Sequence, residues 1–299
     1  MRPRDPEEVT ATGAPAVADV PPETRMGAVH LTVADLARSI AWYDHALGLR
    51  VREQGDGRAS LGAGGEDLLV LEEEPGARPA RGYCGLYHYA LLVPERADLA
   101  RWLSHAARER VPLAGLSDHF VSEAIYLSDP DEHGIEIYWD RPREVWEGQV
   151  AQRLTTLPLD VNSLLGVLPD PATERFDGLP AGTVMGHVHL RVAEIPRTVA
   201  FYRDVLGFGL MAALGNSAAF LSAGGYHHHL GANTWESARA PQAPRGFATL
   251  TQATVILPVA EEVDRLADQA ARAGHDAEPH DGGVRLRDPS GNPLVLRTG

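Results

Sequence analysis

The chain has 299 residues, 44% apolar and 23% charged, which suits a soluble globular protein of two domains of about 150 residues each, or one large one, and excludes collagen-like and disulfide-framework classes. Its 27 basic residues are all arginine and face 41 acidic ones, a formal charge of −14, so the overall field repels nucleic acid and anionic lipid, and the lack of lysine removes Schiff-base and phosphate-loop lysine chemistry. No apolar run approaches the ~18 residues of a membrane span, and the lone Cys84 allows neither an internal disulfide nor a thiolate zinc cluster, which fits a reducing cytoplasm.

Residues 1–25 carry Pro3, Pro6, Pro15, Pro21 and Pro22 among Ala, Asp and Glu, the composition of a disordered arm rather than a signal peptide. A strand is then expected from Met26 to Val33, followed by a helix from Asp35 to Leu47 with a Leu47-Gly48 stop and short alternating strands. A second unit starts with the strand Leu86 to Pro94, continues into an amphipathic helix from Arg96 to Arg110, and reaches an Asp129-Pro130 turn before the strand Ile135 to Trp139. Residues 141–180 are rich in proline and charge, with one helix-like segment from Val161 to Val167, and read as a linker. Beyond it the pattern returns: Met185 to Val192 aligns without gaps on Met26 to Val33, and a helix from Glu194 to Leu206 repeats the aromatic-tyrosine pair of Trp42-Tyr43 as Phe201-Tyr202. A last strand from Thr251 to Pro258, a helix from Ala260 to Ala273, an Asp288-Pro289 turn and a strand from Leu294 to Arg297 complete it. The chain is thus four copies of one βαβββ module, starting near Met26, Gly85, Met185 and Phe247, an α+β protein with domains at 26–140 (modules one and two) and 181–299 (modules three and four).

Polar residues on strands that otherwise read as core mark the chemistry. His227, His228 and His229 follow a Gly-Gly break on an expected strand, His187 and His189 share one strand face, His88 sits in LYHYALLVP, and Glu136 lies between Ile135 and Ile137. A buried carboxylate there needs a cation. Two imidazoles and a carboxylate on one face leave half of an octahedron open, the arrangement of non-haem Fe(II) oxygenases, and His88, His187 and Glu136 can supply it. Taken singly, each histidine reads first as a hydrogen-bonded core or interface residue, and the metal reading gains only from the set.

Ser117-Asp118-His119, then Ile125-Tyr126, Asp129-Pro130 and Glu136 resemble the signature of the extradiol catechol dioxygenases of the vicinal oxygen chelate superfamily, departing at Ser117 and at Glu132, where glycine or proline is usual. The resemblance spans all four modules and implies two vicinal-oxygen-chelate domains with curved mixed sheets, and Fe(II), with Mn(II) as the alternative. It also implies His88 and His187 as ligands, each seven positions before the acidic residue opening its helix, with Glu136 as the third. By the same resemblance His228 is the acid-base residue, His119 and Tyr126 contact substrate, and His30 and His189 fall two positions off the ligand register. Module four has Gln252 and Val295 at ligand positions, and module one has Ala28 and Leu68 at the positions of His187 and His228, so only modules two and three together make a complete set. Pairing within one chain and exchange between two chains satisfy the sequence equally.

The activity so implied is extradiol cleavage of a catechol with O₂ as co-substrate, without nucleic-acid or membrane partners and with a homo-oligomer left open. Two alternatives share the fold: a glyoxalase-like isomerase or transferase with His228 as a fourth ligand, and a metal-free drug-binding resistance protein. On an extended strand, His227 and His229 are expected to face away from His228 and to matter less.

Overall fold

The computed structural model describes residues 19–299. Expected and observed elements agree closely in modules one, two and four. The first helix spans Leu36–Leu47, with Asp35 accepting from the Arg38 amide at its start and Gly48 in the left-handed region at its end. Those of modules two and four span Arg96–Glu109 and Ala260–Arg272. The expected linker helix is Val161–Leu165, and the linker adds two short ones, Arg143–Trp146 and Val150–Arg153. Module three differs: its helix runs from Ile195 to Val199 and then widens into a π-helical stretch, Ala200–Val205. Here both adjacent rings, Phe201 and Tyr202, are buried, whereas in the regular first helix Tyr43 is buried and Trp42 only half so.

The strands form two large sheets, and each draws on both halves of the sequence. One has eight strands in the order Glu278–His280, Gly283–Arg287, Pro293–Thr298, Leu250–Leu257, Arg25–Val33, Leu69–Glu73, Arg58–Gly62, Arg50–Gly55, which joins module four to module one. The other has nine, in the order Leu157–Pro158, Gly115–Asp118, Ser122–Ser128, Gly134–Asp140, Gly85–Leu92, Val184–Arg191, Leu230–Asn233, Ala218–Ser222, Gly209–Leu214, which joins module two to module three. The division at the linker into 26–140 and 181–299 therefore describes the sequence repeat, not the sheets. Within every module the first strand pairs parallel with the last, and the modules meet through antiparallel first strands, His30 opposite Gln252 in one sheet and His189 opposite His88 in the other.

Sequence-adjacent modules dock the two sheets together. The Trp102 indole, fully buried, donates to the Ala46 carbonyl at 3.0 Å, and the Tyr43 hydroxyl donates to Asp129 at 2.8 Å. Asp129 also accepts from the amides of Asp131 and His133, and Asp288 repeats this turn in module four with the amides of Ser290 and Asn292. The third residue after each aspartate has positive φ: Gly291 in module four, but Glu132 at +67° in module two. A non-glycine residue there is strained, and the Glu132 carboxylate is held by Arg81.

The arm expected at 1–25 lies outside the described residues as far as 18. Residues 19–24 are docked: the Asp19 and Val20 amides donate to the Gly207 carbonyl, and Val20 is buried. The linker is also more ordered than a tether. It buries Trp146, Leu154 and Leu164 and adds the strand Leu157–Pro158 to the edge of the nine-stranded sheet. Among the described residues no helix is long and apolar enough to cross a membrane.

Candidate metal centre

Three adjacent strands of the nine-stranded sheet bring His88, Glu136 and His187 to one point. His88 and Glu136 stand on parallel neighbours, and Val184–Arg191 packs antiparallel against the strand of His88. His88 Nε2 and His187 Nε2 are 3.3 Å apart, and each lies 3.1 Å from Glu136 Oε2. All three residues are buried. They are the one group of three or more His, Cys, Asp or Glu among the described residues whose donor atoms lie close enough together to hold a metal ion. Donors at right angles around a metal, with bonds of about 2.1 Å, stand roughly 3.0 Å apart. The three observed separations match that spacing on one triangular face. Two imidazole nitrogens and a carboxylate oxygen aimed at a common point also suit a divalent cation better than one another, since both nitrogens can donate to Glu136 only by setting two N–H groups against each other.

Electrostatics agree with that donor set. Burial by itself would raise the Glu136 carboxyl, but His187 and then His88, by charge and hydrogen bonding, hold it well below the ordinary carboxylate range. Burial pushes His187 down to about 4 despite the pull of Glu136. The centre thus pairs an anionic Glu136 with a neutral His187, the protonation states a metal requires of them. His187 Nδ1 is buried without a partner among the described residues, so the polar contacts of that ring are concentrated on its Nε2 side.

A cleft of about 440 Å³, its mouth included, opens onto this point. His88, Glu136, His119, Tyr126 and His228 all line it, and His187 joins them through Glu136 at 3.1 Å, so the expected ligands, acid-base residue and substrate contacts come together. His119 donates from Nδ1 to the Thr155 carbonyl at 2.9 Å, which leaves Nε2 to accept from the Tyr126 hydroxyl at 2.7 Å. The His228 ring lies against that of His187 at a tilt of 46°, with centroids 4.1 Å apart. Burial, then the neighbouring His187 and His227, holds it neutral, well below the ordinary histidine value. His189 lies opposite His88 across the strand pair and lines the cleft with its ring 5.0 Å from that of His88. It fits only because its neighbour is Gly231, where a Cβ would come within 2.8 Å of the imidazole.

The histidine triplet departs from expectation. His227, His228 and His229 do not lie on a strand: Gly224 and Gly225, both at positive φ, open a loop that runs to Leu230, where the strand begins. Face alternation therefore does not apply, and His227 turns toward His228, with Nδ1 to Nδ1 at 2.8 Å, while its Nε2 meets Asp140 at 2.8 Å. His229 has a separate place, accepting from the Ala223 amide. Other wall residues escaped the sequence reading altogether. Leu154, Thr155 and Thr156 come from the linker, and Leu214 and Phe220 from module three. Nothing local marks these five as lining a site.

The sequence matches the family model described as Glyoxalase/Bleomycin resistance protein/Dioxygenase superfamily twice, over residues 25–137 and 184–296. A protein of Bacillus subtilis (strain 168) named catechol-2,3-dioxygenase is 42% identical over 275 residues, 89% of this chain and 94% of that one. Among solved structures, a putative dioxygenase from Bacillus subtilis has a TM-score of 0.62 at 16% identity, covering 92% of this chain and 86% of its own. Glyoxalase I from Zea mays has 0.55 at 16% identity, covering 92% of each chain. At such identities the structural likeness speaks for the fold alone, whereas two full matches to one family model decide membership: the chain belongs to the Glyoxalase/Bleomycin resistance protein/Dioxygenase superfamily.

Proposed function

We propose that the protein is an Fe(II)-dependent extradiol dioxygenase, which cleaves the ring of a catechol beside its two hydroxyls and inserts both atoms of O₂. The observation that carries this reading is the buried His88–His187–Glu136 triangle with its open side on a cleft, and the 42% identity to a catechol-2,3-dioxygenase supports it. A ferrous ion held by these three residues supplies the Lewis acidity and the oxygen chemistry. The remaining tasks fall to the chain. His228, neutral and on the cleft wall, accepts a proton from a catechol hydroxyl at the ring nitrogen not engaged by His227 and returns it later. The hydrogen-bonded pair of His119 and Tyr126 orients the substrate oxygens, and Val121, Leu154, Leu214 and Phe220 exclude water from around the ring.

The glyoxalase-like alternative asks His228 to be a fourth ligand. His228 is not part of the close group of donors, and its Nδ1 is engaged by His227, which favours three ligands and a separate base. The metal-free alternative leaves Glu136 buried between Ile135 and Ile137 without a function. A reducing cytoplasm suits both ferrous iron and the thiol of Cys84. The test is anaerobic loading of purified protein with Fe(II) or Mn(II), followed by a spectral screen of catechols in air. Ring cleavage dependent on Fe(II) is expected, and equal activity in metal-free protein would overturn the reading.

A further inference from the structure

Behind His228 lies a chain of buried and half-buried polar groups with one direction. The Tyr226 hydroxyl donates to Asp140 Oδ2 at 2.7 Å, so the Tyr138 hydroxyl, 2.8 Å from that of Tyr226, is the donor between the two. On the other side His227 Nε2 stands 2.8 Å from Asp140 Oδ1, and His227 Nδ1 stands 2.8 Å from His228 Nδ1. His227 is fully buried, under the ring of Trp146 at a centroid distance of 5.6 Å.

We propose that His227, backed by Asp140, is a positioning residue that fixes the tautomer of His228, leaving His228 Nε2 without a proton and facing the cleft. The argument is one of donors and acceptors. A carboxylate oxygen only accepts, so His227 Nε2 carries the proton shared with Asp140. In a neutral ring the proton on Nε2 leaves Nδ1 with a lone pair. Two bare nitrogens 2.8 Å apart would repel, so His228 Nδ1 must donate to His227, and His228 Nε2 is left as the acceptor. Every proton in the network points toward Asp140, and the one unfilled acceptor at its end is on the wall of the cleft. Without His227, nothing would prevent His228 from taking the Nε2–H form, which cannot accept the first proton from a substrate. The inference rests on the reading of His228 as the acid-base group, but its direct test does not need turnover.

The experiment uses metal-free full-length protein labelled with ¹⁵N-histidine, with the His228 resonances assigned by loss in His228→Gln. Long-range ¹H–¹⁵N correlation distinguishes the two neutral tautomers. Wild type should show His228 protonated at Nδ1 and bare at Nε2. His227→Phe keeps the bulk of the ring but removes its acceptor, and should move His228 to the Nε2–H form. His227→Asn, whose side-chain oxygen can stand in for Nδ1, should restore the wild-type pattern. In Fe(II)-loaded protein His227→Phe should hold as much metal as wild type yet turn over roughly tenfold or more slowly, with His227→Asn well above it. An Nε2–H form of His228 in wild type, as an imidazolium at His227 would impose, would overturn the proposal. The correct tautomer in a protein that cleaves no catechol would leave the positioning intact and overturn the reaction instead.

Discussion

The two sheets are built on one plan and do different things with it. In the nine-stranded sheet His88, His187 and Glu136 turn their donor atoms to a common point. At the matching places of the eight-stranded sheet stand Gln252, Ala28 and Val295, and the register is the same, with His30 opposite Gln252 where the other sheet has His189 opposite His88. In the eight-stranded sheet the one polar residue of that set is spent internally. Gln252 donates to Thr254 at 3.0 Å and meets His280 at 3.2 Å. The difference teaches that the fold supplies three converging positions twice, and that chemistry follows only where the side chains leave their lone pairs unspent.

Breaking the richer sheet should have the largest effect. His88→Ala, His187→Ala and Glu136→Ala should each strip most of the iron, since every one supplies a donor to the same ion, whereas Gln252→Ala and Val295→Ala should leave about one iron per chain. Metal analysis after desalting decides it, and iron retained by His187→Ala but lost in His30→Ala would reverse the assignment of the two sheets. Next in size, His228→Ala should keep its iron and lose ~10² to 10⁴-fold in turnover, the range of a general acid-base group. Loss of the metal instead would point to four-ligand chemistry.

The comparison can also be sharpened by making the sheets alike. A triple variant, Ala28→His with Gln252→His and Val295→Glu, should raise the stoichiometry from about one metal to two. Because a buried carboxylate without a cation costs several kcal/mol, this variant should melt at a markedly higher temperature with metal than without. Titration calorimetry showing a single site would mean that the second sheet cannot adopt the ligand geometry. The smallest effect concerns His30, which burial, then the Arg58 charge, lowers from 6.5 to about 4. The unfolded chain takes up a proton below pH 6.5 that the folded chain refuses until about pH 4, so this contribution to stability is full above 6.5 and lost as pH falls through that window. Urea midpoints for His30→Gln should therefore fall less than wild type between pH 7.5 and 4.5, and an identical slope would show that His30 is not held neutral.

Local features carried much of this molecule in its sequence. Helix boundaries were legible because capping residues and stops mark them, as Asp35 and Gly48 do. The repeat was legible because each module must bury its own alternating strands, and the ligand types were legible because a carboxylate between Ile135 and Ile137 has no apolar explanation. What only the tertiary structure decided involves residues far apart in the chain. Modules two and three pair within one chain, His88 meeting His187 across 99 positions, because the two first strands present complementary edges that no local pattern encodes. The π-helical turn of module three, which buries Phe201 beside Tyr202, and the loop that replaces the expected strand at His227–His229 depend on partners elsewhere in the fold. The linker became a wall of the cleft for the same reason. Thr155 acquires its place from His119, 36 residues away, and a contact of that range is set by packing rather than by spacing.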